Sequence, residues 1–164
     1  MTGWRNHLLG FATMLVCTTF AAPVQGQCDA FCRGWRQVWE ARKDDFRSIQ
    51  RDEKAHHGEF SVNVSLPGAS KCYVLIDSDG EGTYWCKWSF DSQSEASLAY
   101  ENMKKNISIN LPSNWKTTEK SNGYYKYFDL WGPDKLKYGG LIFDLDPSYA
   151  AFSFAITGHI RDSD

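Results

Sequence analysis

The chain is predicted to fold as an α+β domain in which two helices cover one face of an antiparallel sheet, in the element order α-β-β-β-α-β-β-β. Three observations lead there. Two segments repeat their apolar residues at helical spacing, several short runs alternate apolar with polar residues, and the runs are joined by tight turns rather than by crossover helices.

The first helical stretch extends from Asp29 to about His57. Phe31, Trp35, Val38, Trp39, Phe46 and Ile49 recur on one face while Arg, Lys, Asp and Glu fill the rest. Asp29 stands where an N-cap belongs and Gly58 where a helix would end. The tryptophans occupy the packing face and are read as core; the charges around Lys43, Asp44 and Asp45 are read as its wet face.

A strand follows at Phe60, Val62, Val64 and Leu66, stopped by Pro67-Gly68. Next comes Lys71 to Phe90, two alternating runs joined by an acidic glycine turn. Placing Ser78-Asp79-Gly80 in the loop, with Gly80 in the left-handed position, sets Asp77 against Glu81 and Cys72 against Cys86. Ser92-Gln93-Ser94-Glu95 is a capping box opening a second helix that runs to about Ser108, with Ala96, Ala99, Tyr100, Met103 and Ile107 as its apolar positions. Leu111-Pro112 closes it, and the polar stretch to Gly123 reads as loop with a short strand near Trp115.

Tyr124 to Trp131 reads as a strand, and Leu136 to Leu145 with Tyr149 to Ile160 as a second hairpin. The two hairpins share an Asp-x-Asp at the turn and Ser-Phe near the end of the return strand. Convergent hairpin chemistry accounts for this without an internal duplication, because the helices show no matching similarity.

Residues 1–26 have the form of a secretory signal peptide: Arg5 is the only formal charge, an apolar run extends from Leu8 to Ala22, and small residues precede a cut after Gly26. The remainder, 27–164, is expected to be one secreted or periplasmic domain without an integral membrane segment, the apolar run being shorter than the roughly 20 residues a span needs. Loss of Arg5 makes the mature chain one unit more negative than the formal −2 of the whole, a sign that argues against nucleic acid as a partner.

Four cysteines remain after the leader: Cys28, Cys32, Cys72 and Cys86. In an oxidising compartment they form two disulfides, for which sequence allows three connectivities; Cys72–Cys86 with Cys28–Cys32 is the expected pairing.

No nucleophile elbow, zinc-helix or phosphate-loop motif occurs, and no cofactor is implied. His56-His57 with Glu59 reads as a polar helix end and His159 as a surface residue. Asp77, Asp79, Glu81, Asp144 and Asp146 fall at turns, where Asp is favoured for backbone reasons. The expectation is therefore a non-catalytic binding domain. The surface to use is aromatic: with one side of every strand consumed by the core, Tyr73, Trp85, Tyr125, Tyr127 and Trp131 are left for the other side, a face suited to a protein, peptide or carbohydrate partner. Two other classes remain open, a small hydrolase whose catalytic residues are dispersed in sequence and a calcium-dependent module using the 77–82 turn.

Overall fold

A computed structural model describes residues 29–54 and 58–158. It has two α-helices and an eight-stranded antiparallel sheet, an α+β fold in the predicted order with one strand more after each helix. The elements are α1 Ala30–Ala41, β1 Gln50–Lys54, β2 Glu59–Val62, β3 Lys71–Ile76, β4 Gly82–Ser89, α2 Gln93–Asn110, β5 Lys116–Ser121, β6 Tyr125–Trp131, β7 Lys137–Asp144 and β8 Ala151–Thr157. The strands lie side by side as β1-β2-β3-β4-β8-β7-β6-β5. Each half is thus a helix followed by a four-stranded meander, and the halves meet through their last strands, antiparallel, with Trp88 of β4 directly opposite Phe152 of β8.

The first helix is much shorter than its apolar period implied. Asp29 caps it as expected, its Oδ1 accepting from Cys32 N at 2.8 Å, but regular helix ends at Ala41. Asp45 and Phe46 then adopt left-handed backbone, φ 55° and 63°, which no helix tolerates in its interior, and the chain turns through two short 3-10 segments into β1. Phe46 and Ile49 are core residues all the same; Phe46 is fully buried and its ring sits 5.9 Å from that of Tyr84. Periodicity had recorded their burial and said nothing of the backbone carrying them. Gly58 consequently does not end α1: it precedes β2, where a Cβ would come within 2.8 Å of the Ile76 carbonyl oxygen. His56, His57 and His159 lie outside the described residues.

The second helix matches its signals, Ser92 Oγ accepting from Glu95 N. The β3–β4 hairpin has the predicted register, with Asp77 N donating to Glu81 O and Gly80 at φ 83°. Cys72 and Cys86, directly opposite, form a disulfide with Cα atoms 4.1 Å apart. Cys32 is also disulfide-bonded; Cys28 lies outside the described residues. The short strand expected near Trp115 is present as β5 and longer than expected, taking up Lys116–Ser121 of the polar stretch. All six of its side chains are exposed, so it offers no apolar alternation, and it exists as an edge strand through pairing with β6.

The core lies between the helices and one sheet face. Trp35 of α1 packs on Phe154 at 5.6 Å, and Tyr100 of α2 on Phe143 and Phe152 at 5.1 and 5.9 Å. Val74, Tyr84, Trp88, Phe128, Leu130, Leu141 and Ile156 complete the covered face. Both helices serve this face, which leaves the residues between these positions on the opposite side.

Candidate functional site: the open sheet face

Alternation and register together fix the composition of the uncovered face. One row across the strands is Ser61, Tyr73, Trp85, Ala155, Gly140, Asp129 and Thr118; the adjacent row is Lys71, Lys87, Ser153, Ile142, Tyr127 and Lys120. The five aromatic residues singled out in sequence are all on this side, but they form two groups. Tyr73 and Trp85 stand directly opposite each other on β3 and β4. Tyr125 and Tyr127, with rings 6.0 Å apart, belong to β6, and Trp131 ends the same strand with its Nε1 donating to Thr118 Oγ1 at 2.8 Å.

Between the groups run β8 and β7, and here the outward side chains are small. β8 alternates Phe152, Phe154 and Ile156 inward with Ala151, Ser153, Ala155 and Thr157 outward. β7 contributes Gly140, where a Cβ would meet the Phe128 carbonyl oxygen at 2.1 Å. The result is a trough along the strands, floored by small residues and walled by aromatic rings. Its wall strands β4 and β6 are three inter-strand spacings apart, about 14 Å.

The trough holds a cleft at each end. One, of about 530 Å³, lies against Leu75, Ile76, Trp85 and Ala155 and opens past Asp77 and Glu81. The other, of about 260 Å³, lies among Lys87, Tyr125, Ile142, Tyr149 and Ser153.

Charge on the face is largely paired. Lys71 Nζ meets Glu59 Oε1 at 2.6 Å, a hydrogen bond that raises the lysine above its ordinary value. Asp129 is 2% exposed beneath Lys120 and Lys137, whose ammonium groups lie 2.9 and 2.7 Å from its two oxygens. Burial alone would raise that carboxyl; the hydrogen bonds from Lys137 and Lys120 outweigh it and hold the group below the usual carboxylate range. Nothing in the local sequence marked Asp129 as a buried acid, because its burial depends on lysines of two other strands.

The turn carboxylates are engaged in shaping turns. Asp77 Oδ1 accepts from Asp79 N and Glu81 N at 3.0 and 2.9 Å, Asp144 Oδ1 from Asp146 N at 2.9 Å, and Asp146 Oδ1 from Ser148 N at 2.8 Å. Among the described residues no group of three or more His, Cys, Asp or Glu side chains is placed to hold a metal ion.

Arg42 is the other polar residue that sequence left unremarked. It is 2% exposed, with its guanidinium carbon 4.5 Å from the Trp39 ring centroid, 4.9 Å from that of Trp115 and 5.2 Å from that of Tyr138. Its Nε donates to Thr157 O at 3.0 Å, while both terminal nitrogens have no hydrogen-bond partner. Desolvation pushes its pKa down to about 10. It lies on the helix side and ties the end of α1 to the end of β8.

No family model, no characterised protein and no solved structure matches this chain. Among the described residues no helix is long and apolar enough to cross a membrane.

Proposed function

We propose that the protein is a secreted or periplasmic, non-catalytic binding domain that takes a protein, peptide or carbohydrate partner on its open sheet face. The observation that carries this reading is the trough: Tyr73 and Trp85 on one wall, Tyr125, Tyr127 and Trp131 on the other, with Ser153, Ala155, Gly140 and Ile142 between them. Large rings on an uncovered face are costly to keep in water, and a sheet that only had to be soluble would carry small polar residues there. The central strands are hydrogen-bonded on both edges, so the face presents side chains and no free backbone groups; a partner is recognised by ring contact and by hydroxyl, lysine and carboxylate groups. The Cys72–Cys86 disulfide is compatible with an oxidising compartment.

The test is to present the mature chain to the extracellular fraction of its source and to map the face by hydroxyl-radical footprinting. Protection of Trp85 and Tyr127 in the bound state, with retention reduced at least tenfold by Trp85→Ala and by Tyr127→Ala, is expected. Retention unchanged in both variants would remove the assignment.

A further inference from the structure

We infer that the larger cleft of the trough is a site for an organic cation on an apolar body, an ammonium or guanidinium carried by an aliphatic or aromatic stem. This rests on the reading of the open face as a binding surface and names the chemistry that one end of it selects.

The cleft is about 530 Å³, within the range of small-molecule sites. Leu75, Ile76, Ala155 and the Trp85 ring make an apolar wall, and among the described residues no lysine, arginine or histidine lines it. At its mouth stand two carboxylates, Asp77 and Glu81, brought side by side by the hairpin register. Asp77 uses Oδ1 to hold the turn, and that arrangement orients the carboxylate without neutralising it. Arg42 does not itself line the cleft: its guanidinium lies behind Tyr138, against the Trp39 and Trp115 rings. A cation entering here places its charge near two acids and the electron-rich face of an indole while its stem displaces water from the apolar wall. An anion of the same shape meets two like charges. The cleft exists because Ala155 leaves its floor low beside Trp85, and its charge exists because the turn places acids at both ends of one loop; these are independent features of β8 and of β3–β4.

The experiment is an amide-resonance titration of the full mature chain with four probes: phenethylammonium, phenylacetate, 2-phenylethanol and N-acetyl-arginine amide. Phenethylammonium, N-acetyl-arginine amide or both are expected to shift the resonances of 75–85 and 155–157, and the shifts should weaken as salt rises. The first probe reports a free amine and the second a basic side chain of a partner chain. Asp77→Asn with Glu81→Gln should weaken that binding roughly threefold to tenfold, consistent with two partly exposed ion pairs. The asparagine oxygen can still accept from Asp79 N and Glu81 N, so the turn is kept, and an unchanged spectrum elsewhere checks it. Phenylacetate or the alcohol binding as tightly as the cations would overturn the charge assignment and leave the face a binding surface. Absence of any shift in the cleft with all four probes would overturn the site itself, while the Trp85 and Tyr127 retention test judges the wider face separately.

Discussion

Trp85 and Trp88 are three residues apart on β4 and should differ sharply when truncated. Trp88 is 2% exposed, stacks on Phe152 at 4.9 Å and donates from Nε1 to Pro67 O at 3.0 Å. Replacing it by Ala removes a ring whose burial is worth about 3–5 kcal/mol and leaves the Pro67 carbonyl short of a partner for about 1 kcal/mol more. A total near 5 kcal/mol equals the whole stability of a weakly stable domain, so Trp88→Ala should fold poorly if at all. Trp85 is half-buried, with Tyr73 and Ala155 as its cross-strand neighbours and no helix above it. Part of its ring already faces water, and Trp85→Ala should cost about 1–2 kcal/mol. Urea unfolding followed by far-UV circular dichroism measures both, with unchanged m-values confirming that the midpoint shift reports stability. A Trp85→Ala loss as large as that of Trp88→Ala would show that the ring is enclosed structure, and the functional reading of the face would fall with it.

Arg42→Met keeps an unbranched stem among Trp39, Trp115 and Tyr138 and removes a desolvated charge, so its stability at neutral pH should stay within about 1 kcal/mol of wild type, whereas Arg42→Ala opens a cavity and should cost about 3 kcal/mol. Because burial lowers the folded-state pKa of Arg42 to about 10, the wild type should gain on the Met variant as pH rises from 9 to 11; equal pH slopes would refute this. Asp129 titrates lower folded than unfolded, so the stability it contributes is present above its ordinary value near 3.8 and is lost as pH falls further; Asp129→Asn should abolish that part of the acid transition, read as the difference between the two unfolding curves below pH 4. Replacing Cys72 and Cys86 by Ala opens a loop of sequence separation 14 and should lower stability by about 3 kcal/mol, with no further loss when reductant acts on that pair.

Much of the fold was legible because local chemistry and tertiary role agree. The Ser92 capping box, the Gly80 turn and the inward positions of β3, β4, β6 and β8 follow from rules acting over a few residues, and the Cys72–Cys86 bridge follows from the turn by counting. The failures share a cause. Phe46 and Ile49 are buried at helical spacing on a chain that is not helical, since hydrophobic period reports burial and is blind to the left-handed pair at Asp45 and Phe46. Lys116–Ser121 has no buried side at all, so only its partner strand makes it a strand. The aromatic residues were assigned to the correct side, yet the trough between them was invisible, because it depends on β8 and β7 lying between β4 and β6.

That strand order also bears on the likeness between the two hairpins. Sequence offered only Asp-x-Asp at each turn and Ser-Phe near each end, too little to outweigh convergence. In the sheet, both halves run helix then four-stranded meander and join antiparallel through β4 and β8. Aligning Ser89-Phe90 with Ser153-Phe154 makes Trp88 the counterpart of Phe152, and those two residues are directly opposite one another with their rings stacked at 4.9 Å. The spacing between the hairpins is 67 residues at the aspartates and 64 at Ser-Phe, so no single offset joins both features, and convergence of turn chemistry still accounts for the aspartates. The two halves are therefore alike in element order, while the sheet is asymmetric across the seam: β4 carries the large Trp85 and β8 the small Ala155 opposite it, one a wall of the trough and the other part of its floor.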